Sequence, residues 1–206
     1  MEHEDKVASL THSAKNRLQL LQPLLEVLND HPDEVVQDTG KHISRQLDEV
    51  NQQLVLMLSL YRMEHTNLVS AEPIEVMGVF SDLLDNVSDS RVRVDPDRTD
   101  PNLEVYGDER LIKAVIGDAI HNALRHCQNE VLLSVEKSKQ GALIRVRDDG
   151  QPNSDISSKN QASEGSGVGL WIANRIAEAH RNGTSVGYAR HSFSADDGSC
   201  FELFLP

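Results

Sequence analysis

Two apolar stripes of helical period dominate the first third of this 206-residue chain and limit what it can fold into. Val7, Leu10, Ala14, Leu18, Leu21, Leu25 and Leu28 follow one another at steps of three or four residues, which puts them on one face of an α-helix at close to a heptad period. Val36, Ile43, Leu47, Val50, Leu54, Met57 and Tyr61 form a second stripe. Between the two, Asn29-Asp30-His31-Pro32-Asp33 is a turn cluster that ends one helix and lets another begin. Two long helices joined by a short turn make an antiparallel hairpin. Pro23 is the expected kink in the first helix, because it has no N–H and crowds the preceding turn. A lone hairpin cannot bury both stripes. The expected solution is a four-helix bundle built from two chains, a homodimer; the alternative is a hairpin packed on the C-terminal part of its own chain.

Charge narrows the partners. Twenty Lys and Arg stand against 33 Asp and Glu, a net charge of −13, which argues against a nucleic-acid binder and against docking on anionic lipid. Hydrophobic residues make up 38% of the chain and aromatic ones 4%, so a core is expected and must be mostly aliphatic. No run of about 18 apolar residues is present to span a membrane, and the acidic start, Met1 to Lys6, lacks the pattern of a signal peptide. Cys127 and Cys200 stand alone without a CxxC pair, as reduced thiols in the cytoplasm would.

After Tyr61 the pattern changes, and Glu72-Pro73 marks a boundary. The expected domains are a helical hairpin over residues 1–68 and a second domain over residues 69–206. In the second, a short amphipathic helix is expected from Ile74 to Val87. A short edge strand and loop should follow over Ser90–Pro101, then a long helix from Asp108 to Cys127. Two strands, Glu130–Glu136 and Ala142–Arg147, hinge at Lys139-Gln140-Gly141. A polar loop from Gly150 to Gly167 leads to a helix over Leu170–His180, and strands at Thr184–His191 and Cys200–Leu205 close the chain. Mixed runs of this kind predict an α+β sandwich with a mixed sheet.

Three segments of the second domain carry chemistry together. In Asp118-Ala119-Ile120-His121-Asn122-Ala123-Leu124-Arg125-His126, Asp118 and Asn122 share one helix face, with Arg125 and His126 a turn further on. An acid, an amide and a cation so placed suit a metal-bound phosphate, since magnesium takes oxygen ligands and keeps several waters. In Asp148-Asp149-Gly150-Gln151-Pro152 an acid at a strand end precedes a tight turn and can accept from the exocyclic amine of a base. In Gly165-Ser166-Gly167-Val168-Gly169-Leu170 glycines open an amphipathic helix, where bare N–H groups and the positive dipole end favour an anion. Each alone is an ordinary helix face, turn or glycine strip.

In this order and context, the three resemble the N box and the first and second glycine boxes of the ATP-binding domain of histidine kinases, of the GHKL superfamily. Gly198–Pro206 is similar to the closing strand of that domain, and the likeness reaches the hairpin. There, Leu10-Thr11-His12-Ser13-Ala14-Lys15-Asn16-Arg17-Leu18 resembles an H box, and Arg62-Met63-Glu64-His65 the linker after the second bundle helix. Helical phase agrees for His12: at about 100° per residue it lies about 200° from both Leu10 and Ala14, away from the apolar seam, where an imidazole is free to act as a nucleophile. Among the other histidines outside the second domain, His42 is the leading competitor.

The resemblance implies the core of a two-component histidine kinase, a transferase using ATP and Mg²⁺ in signal transduction. Asp148 would accept from adenine and Asn122 would hold Mg²⁺. Arg125 and His126 would lie near the phosphates, with Gly150, Gly165, Gly167, Gly169 and Leu170 lining the nucleotide. His12 would take the phosphoryl group and pass it to an Asp on a response-regulator receiver, with Asn16 and Asp118 as further catalytic residues. Only eleven residues precede His12, so sensor input would come from a separate protein, or the chain is a fragment of a longer one. Three positions depart from the family pattern. Ser13 stands where an acid usually serves as base, which counts against efficient autophosphorylation. Asp118 replaces an Asn, and in related GHKL ATPases an acid there activates water. Pro152 replaces a glycine, and no F box is evident. Two rival expectations are a histidine phosphotransfer hub that no longer uses ATP, and a response-regulator phosphatase in which Asn16 orients water.

Overall fold

The computed structural model describes residues 13–14, 16–66, 69–87, 89–150, 168–194 and 198–206. The chain divides into two compact units, Met1–Thr66 and Asn67–Pro206.

The first unit is helical. Residues 16–19 are helical, but the helix breaks at Leu20-Leu21 and restarts as α1, Gln22–Asn29. The expected kink at Pro23 is therefore a full interruption: Leu21 N–H reaches back only three residues, to the Leu18 carbonyl at 3.0 Å. Pro23 cannot donate and its ring crowds the carbonyl of Gln19, whereas it is well tolerated in the first turn of a new helix, where it sits. The turn cluster then works as expected. Asp33 Oδ1 accepts from Val35 N–H at 2.9 Å and starts α2, Glu34–Thr66. Gly40 is buried inside α2 because α1 ends against it: a Cβ there would lie 2.7 Å from Asn29 Oδ1 and 2.8 Å from Leu28 Cβ. Leu25, Leu56 and Leu60 are buried. Leu20, Leu24 and Val27 form a further stripe of helical spacing that is exposed.

The second unit opens with β1, Glu72–Glu75, which pairs antiparallel with β3, Glu104–Gly107; Ile74 opposite Val105 is its buried pair. The amphipathic helix α3 therefore begins at Val76, not at Ile74, and runs to Val87. A five-stranded sheet forms the second layer. Its strands are β2 (Val92–Val94), β4 (Val131–Ser138), β5 (Gly141–Asp148), β8 (Tyr188–Ser194) and β9 (Gly198–Leu205), in the order β2-β4-β5-β9-β8. Only the edge pair β2 and β4 is parallel, so the sheet is mixed. The strand expected over Thr184–His191 is split. Ser185-Val186 (β7) pairs with Arg181-Asn182 (β6), and β8 starts after Gly187, where a Cβ would lie 2.3 Å from the Ala177 carbonyl.

Alternation fixes which sheet face is covered. Val131, Leu133 and Val135 of β4, Ala142, Ile144 and Val146 of β5, and Leu203 and Leu205 of β9 are buried. The long helix α4, Glu109–His126, packs on β4 and β5, and α5, Val168–Ala179, packs on β8, β9 and α4. Among the described residues the hydrophobic core is aliphatic apart from Phe80 and Phe204. On the opposite sheet face Arg145 bridges Glu136 at 2.6 Å and Glu202 at 2.8 Å, Arg190 also pairs with Glu202, and Arg147 meets Asp95 at 2.8 Å. The chain is thus α+β, N-terminal helices followed by a mixed-sheet sandwich, as the sequence predicts.

Candidate functional site

The site grows from α4. Asp108 caps the helix: its Oδ1 accepts from Arg110 N–H at 3.1 Å and Leu111 N–H at 3.4 Å. Val115, Ile116, Ala119, Ile120 and Ala123 then point into the core, which turns the remaining face, with Asp118 half-buried and Asn122, Arg125 and His126 further along it, toward the start of α5 and beyond. Arg125 donates from its guanidinium to Asn122 Oδ1. Asp118 meets Gly169, the second residue of α5: a Cβ on Gly169 would lie 3.0 Å from Asp118 Oδ2. Two of the three sequence segments thus touch, and a side chain at position 169 would press on the carboxylate.

The third segment joins them at the far end of α4. Asp148 closes β5, paired across to Val131 and Ser199, and is 5% exposed. Its Oδ1 accepts from Gly150 N–H at 3.0 Å. Gly150 is required by close approach, since a Cβ would lie 2.4 Å from the His126 carbonyl and 2.6 Å from Asp148 Oδ1. Gly198, at φ +74°, leaves room for the Asp148 carbonyl, which a Cβ would meet at 2.1 Å. The second oxygen of Asp148 accepts no hydrogen bond among the described residues. A buried carboxylate with an acceptor to spare suits an amine donor such as that of adenine.

Asp149 does something else. β5 ends at Asp148, and Asp149, the first residue beyond it, turns to a different set of partners. Asp149 gathers the α4–β4 loop, accepting from Gln128 N–H at 2.8 Å, Asn129 N–H at 3.0 Å, Asn129 Nδ2 at 2.7 Å and Glu130 N–H at 3.3 Å. Desolvation opposes its ionisation, but the hydrogen bonds from Asn129, Glu130 and Gln128 outweigh it and hold its pKa at about 2. Sequence reasoning gave Asp149 no role, nor His180, which is buried at the end of α5. The adjacency of Asp149 to Asp148 at the end of a strand was the available signal for the first.

Among the described residues no cluster of three or more His, Cys, Asp or Glu could hold a metal. Asp118 and Asn122 offer oxygens, one of which already takes the Arg125 guanidinium. That donor set fits a Mg²⁺ carried in on phosphates, with one or two protein oxygens, rather than a resident metal. Leu170 is exposed, as are Val168 and Trp171, the chain's single tryptophan. In the helical unit Asn16 is exposed and Ser13 lies on a helical stretch. His12, Gly165, Gly167 and the loop from Gln151 lie outside the described residues. A cleft of about 280 Å³ within the helical unit is lined by Leu18, Gln22, Leu25, Asn29, Leu47 and Asn51, and none of the candidate catalytic or nucleotide-binding residues lines it. Both cysteines are free thiols with pKa values pushed up by burial. No helix among the described residues is long and apolar enough to cross a membrane.

Residues 107–206 match the family model described as histidine kinase-, DNA gyrase B- and HSP90-like ATPase. The chain is 27% identical over 180 residues to sensor protein kinase PmrB of Pseudomonas aeruginosa, covering 80% of this chain and 37% of that protein. It is 26% identical over 191 residues to sensor protein PhoQ of Escherichia coli, covering 84% and 38%. It thus spans less than two fifths of the length of these relatives. Among solved structures, the Acinetobacter baumannii histidine kinase AdeS superposes with a TM-score of 0.55 at 21% identity, covering 94% of this chain and 96% of that one. The cytoplasmic segment of histidine kinase QseC gives 0.52 at 14% identity, covering 75% and 94%. The mixed-sheet sandwich is the architecture of histidine-kinase catalytic domains, and the chain resembles the core of a two-component sensor histidine kinase.

Proposed function

We propose that this chain is a histidine autokinase core that uses Mg²⁺-ATP and serves a response regulator. The observation that carries the reading is the buried Asp148 carboxylate, with one oxygen pinned by Gly150 N–H and the other without a partner among the described residues. It stands at the end of α4 whose polar face bears Asp118, Asn122 and Arg125. Adenine would donate its amine to Asp148, and the phosphates would run toward Arg125 and the start of α5 at Gly169. Mg²⁺, held by Asn122, would neutralise charge between the phosphates. A ring nitrogen of His12 would attack the γ-phosphorus as the bond to the bridging β,γ-oxygen breaks. ADP would leave with that electron pair, and the imidazole would lose a proton to solvent. The phospho-imidazole would then pass the group to an Asp of a receiver domain. The hairpin would supply a homodimer.

The test is incubation with γ-labelled ATP and Mg²⁺, comparing wild type with His12→Gln. Acid-labile label on wild type that His12→Gln abolishes is the expected result; label that persists in His12→Gln moves the acceptor, with His42 tried next. Ser13→Glu should raise the labelling rate, because it restores an acid beside the acceptor. Asn16 is the feature that favours a second reading, a response-regulator phosphatase in which Asn16 orients water on the receiver's phospho-Asp. Tight Mg²⁺-ATP binding without label in any variant would favour that reading.

A further inference from the structure

His180 closes α5 and is 4% exposed. Its Nε2 accepts from Asp108 N–H at 3.1 Å, and its Nδ1 lies 2.9 Å from the Ile176 carbonyl. A nitrogen facing a peptide N–H must carry the lone pair, and one facing a carbonyl must carry the hydrogen, so the partners assign a neutral Nδ1–H ring. Burial pushes the pKa of the ring down, with the Ile176 carbonyl and the Asp108 carboxylate acting the other way. The ring fits only because position 107 lacks a side chain: a Cβ on Gly107 would lie 2.9 Å from His180 Cδ2 and 2.8 Å from Ile112 Cδ1. Asp108 itself is held by more than the helix it caps, since its Oδ2 accepts from Ser70 N–H at 3.2 Å and from the Arg110 guanidinium at 3.1 Å.

The place of this contact gives it a consequence. Asp118 lies ten residues beyond Asp108, and Gly169 lies eleven residues before His180. At about 1.5 Å per residue these are spans of ~15 Å and ~16 Å. The antiparallel pair α4 and α5 is therefore hydrogen-bonded at one end, Asp108 to His180, and closely approached at the other, where Gly169 leaves room for the Asp118 carboxylate. Holding the pair at one end limits how far the helices can pivot at the other. We propose that His180 is a positioning residue for the nucleotide site, setting through the Asp108 N–H the spacing of α4 and α5 where Asp118 meets Gly169. The inference rests on the nucleotide reading above.

The test is calorimetric titration of the full chain with Mg²⁺-ATP. His180→Phe fills the ring's space but leaves Asp108 N–H unpaired, and is expected to weaken affinity at least tenfold. His180→Gln, whose amide oxygen can accept from that N–H, should recover affinity to within about threefold of wild type. Each is then combined with Gly169→Ala. Independent sites this far apart multiply their fold-changes to within about a factor of two; the proposal expects a departure of more than threefold. A His180→Phe chain that melts lower yet binds Mg²⁺-ATP as wild type does, or fold-changes that simply multiply, would overturn it. If His180→Phe loses its near-UV dichroism, the cycle of His180→Gln with Gly169→Ala takes its place, and fold-changes that multiply there overturn the proposal in the same way. A wild-type chain that binds no Mg²⁺-ATP defeats the nucleotide reading and this inference with it, whereas wild-type binding with additive variants defeats this inference alone.

Discussion

The two units meet the need to bury apolar surface in different ways. The α+β unit closes its own core: Phe80, Ile112, Ile116, Ile120, Leu133, Ile144, Ile172, Ile176, Leu203 and Leu205 are all but inaccessible. The helical unit buries Leu25, Leu56 and Leu60 and leaves Ile43, Val50 and Met57, seven residues apart along α2, exposed. A sheet offers a broad face that three helices can cover, whereas two helices cover one seam of each other and leave the next one open. An apolar heptad left in water is what a second copy of the same hairpin can cover.

The largest expected effect follows from this difference. Removing residues 1–68 should abolish self-association and leave a folded monomer that still binds Mg²⁺-ATP, read by sedimentation and calorimetry. A truncated chain that stays dimeric would place the interface elsewhere. Next comes Phe80→Ala, which empties a fully buried position and should cost the α+β unit about 3–5 kcal/mol by denaturant titration. Its counterpart, Val50→Ala with Met57→Ala, should leave the unfolding of that unit unchanged and weaken association; if it shifts that transition instead, the two cores are not separate.

Within the α+β unit, Asp148→Asn should weaken nucleotide binding by about 1.5–3 kcal/mol, the worth of one charge-assisted hydrogen bond. Affinity unchanged within twofold would remove adenine from Asp148. The smallest effect concerns Asp149. Its folded pKa of about 2 lies below the unfolded value of 3.8, so its contribution is complete above pH 3.8 and is lost as pH falls through about 2. Asp149→Asn should flatten the decline of melting temperature across that window, and an unchanged acid slope would show that the α4–β4 loop is held by something else.

Much of this fold was legible in the chain. The 3.6-residue period marked α2, α4 and α5, and alternation with a glycine hinge marked β4 and β5. The ribbon of β1 and β3 was not, because Glu72-Pro73-Ile74-Glu75 is short, polar and carries a proline; its only strand signal is the partnership of Ile74 with Val105, about thirty residues on. The break at Leu20-Leu21 was legible as a kink and no more. At the candidate site the glycine and acid spacings pointed to Asp148, Gly150 and Gly169, whose surroundings are local to their segments or one helix away. His180 escaped because its partner, Asp108, is 72 residues distant in sequence, and nothing in the pattern around Glu178-Ala179-His180 says that the imidazole is buried.

The position of β9 between β5 and β8 bears on how this unit is assembled. The strand that comes last in sequence within its sheet is an interior one, joined to β8 as a hairpin. Until that hairpin docks, β5 presents a bare row of peptide groups flanked by Leu143, Ile144 and Val146, the kind of unpaired strand that recruits neighbouring chains. Correct folding and aggregation then compete for the same edge. The charged residues Arg145 and Arg147, alternating along β5, are placed to discourage the wrong partner while Glu202 of the right one arrives.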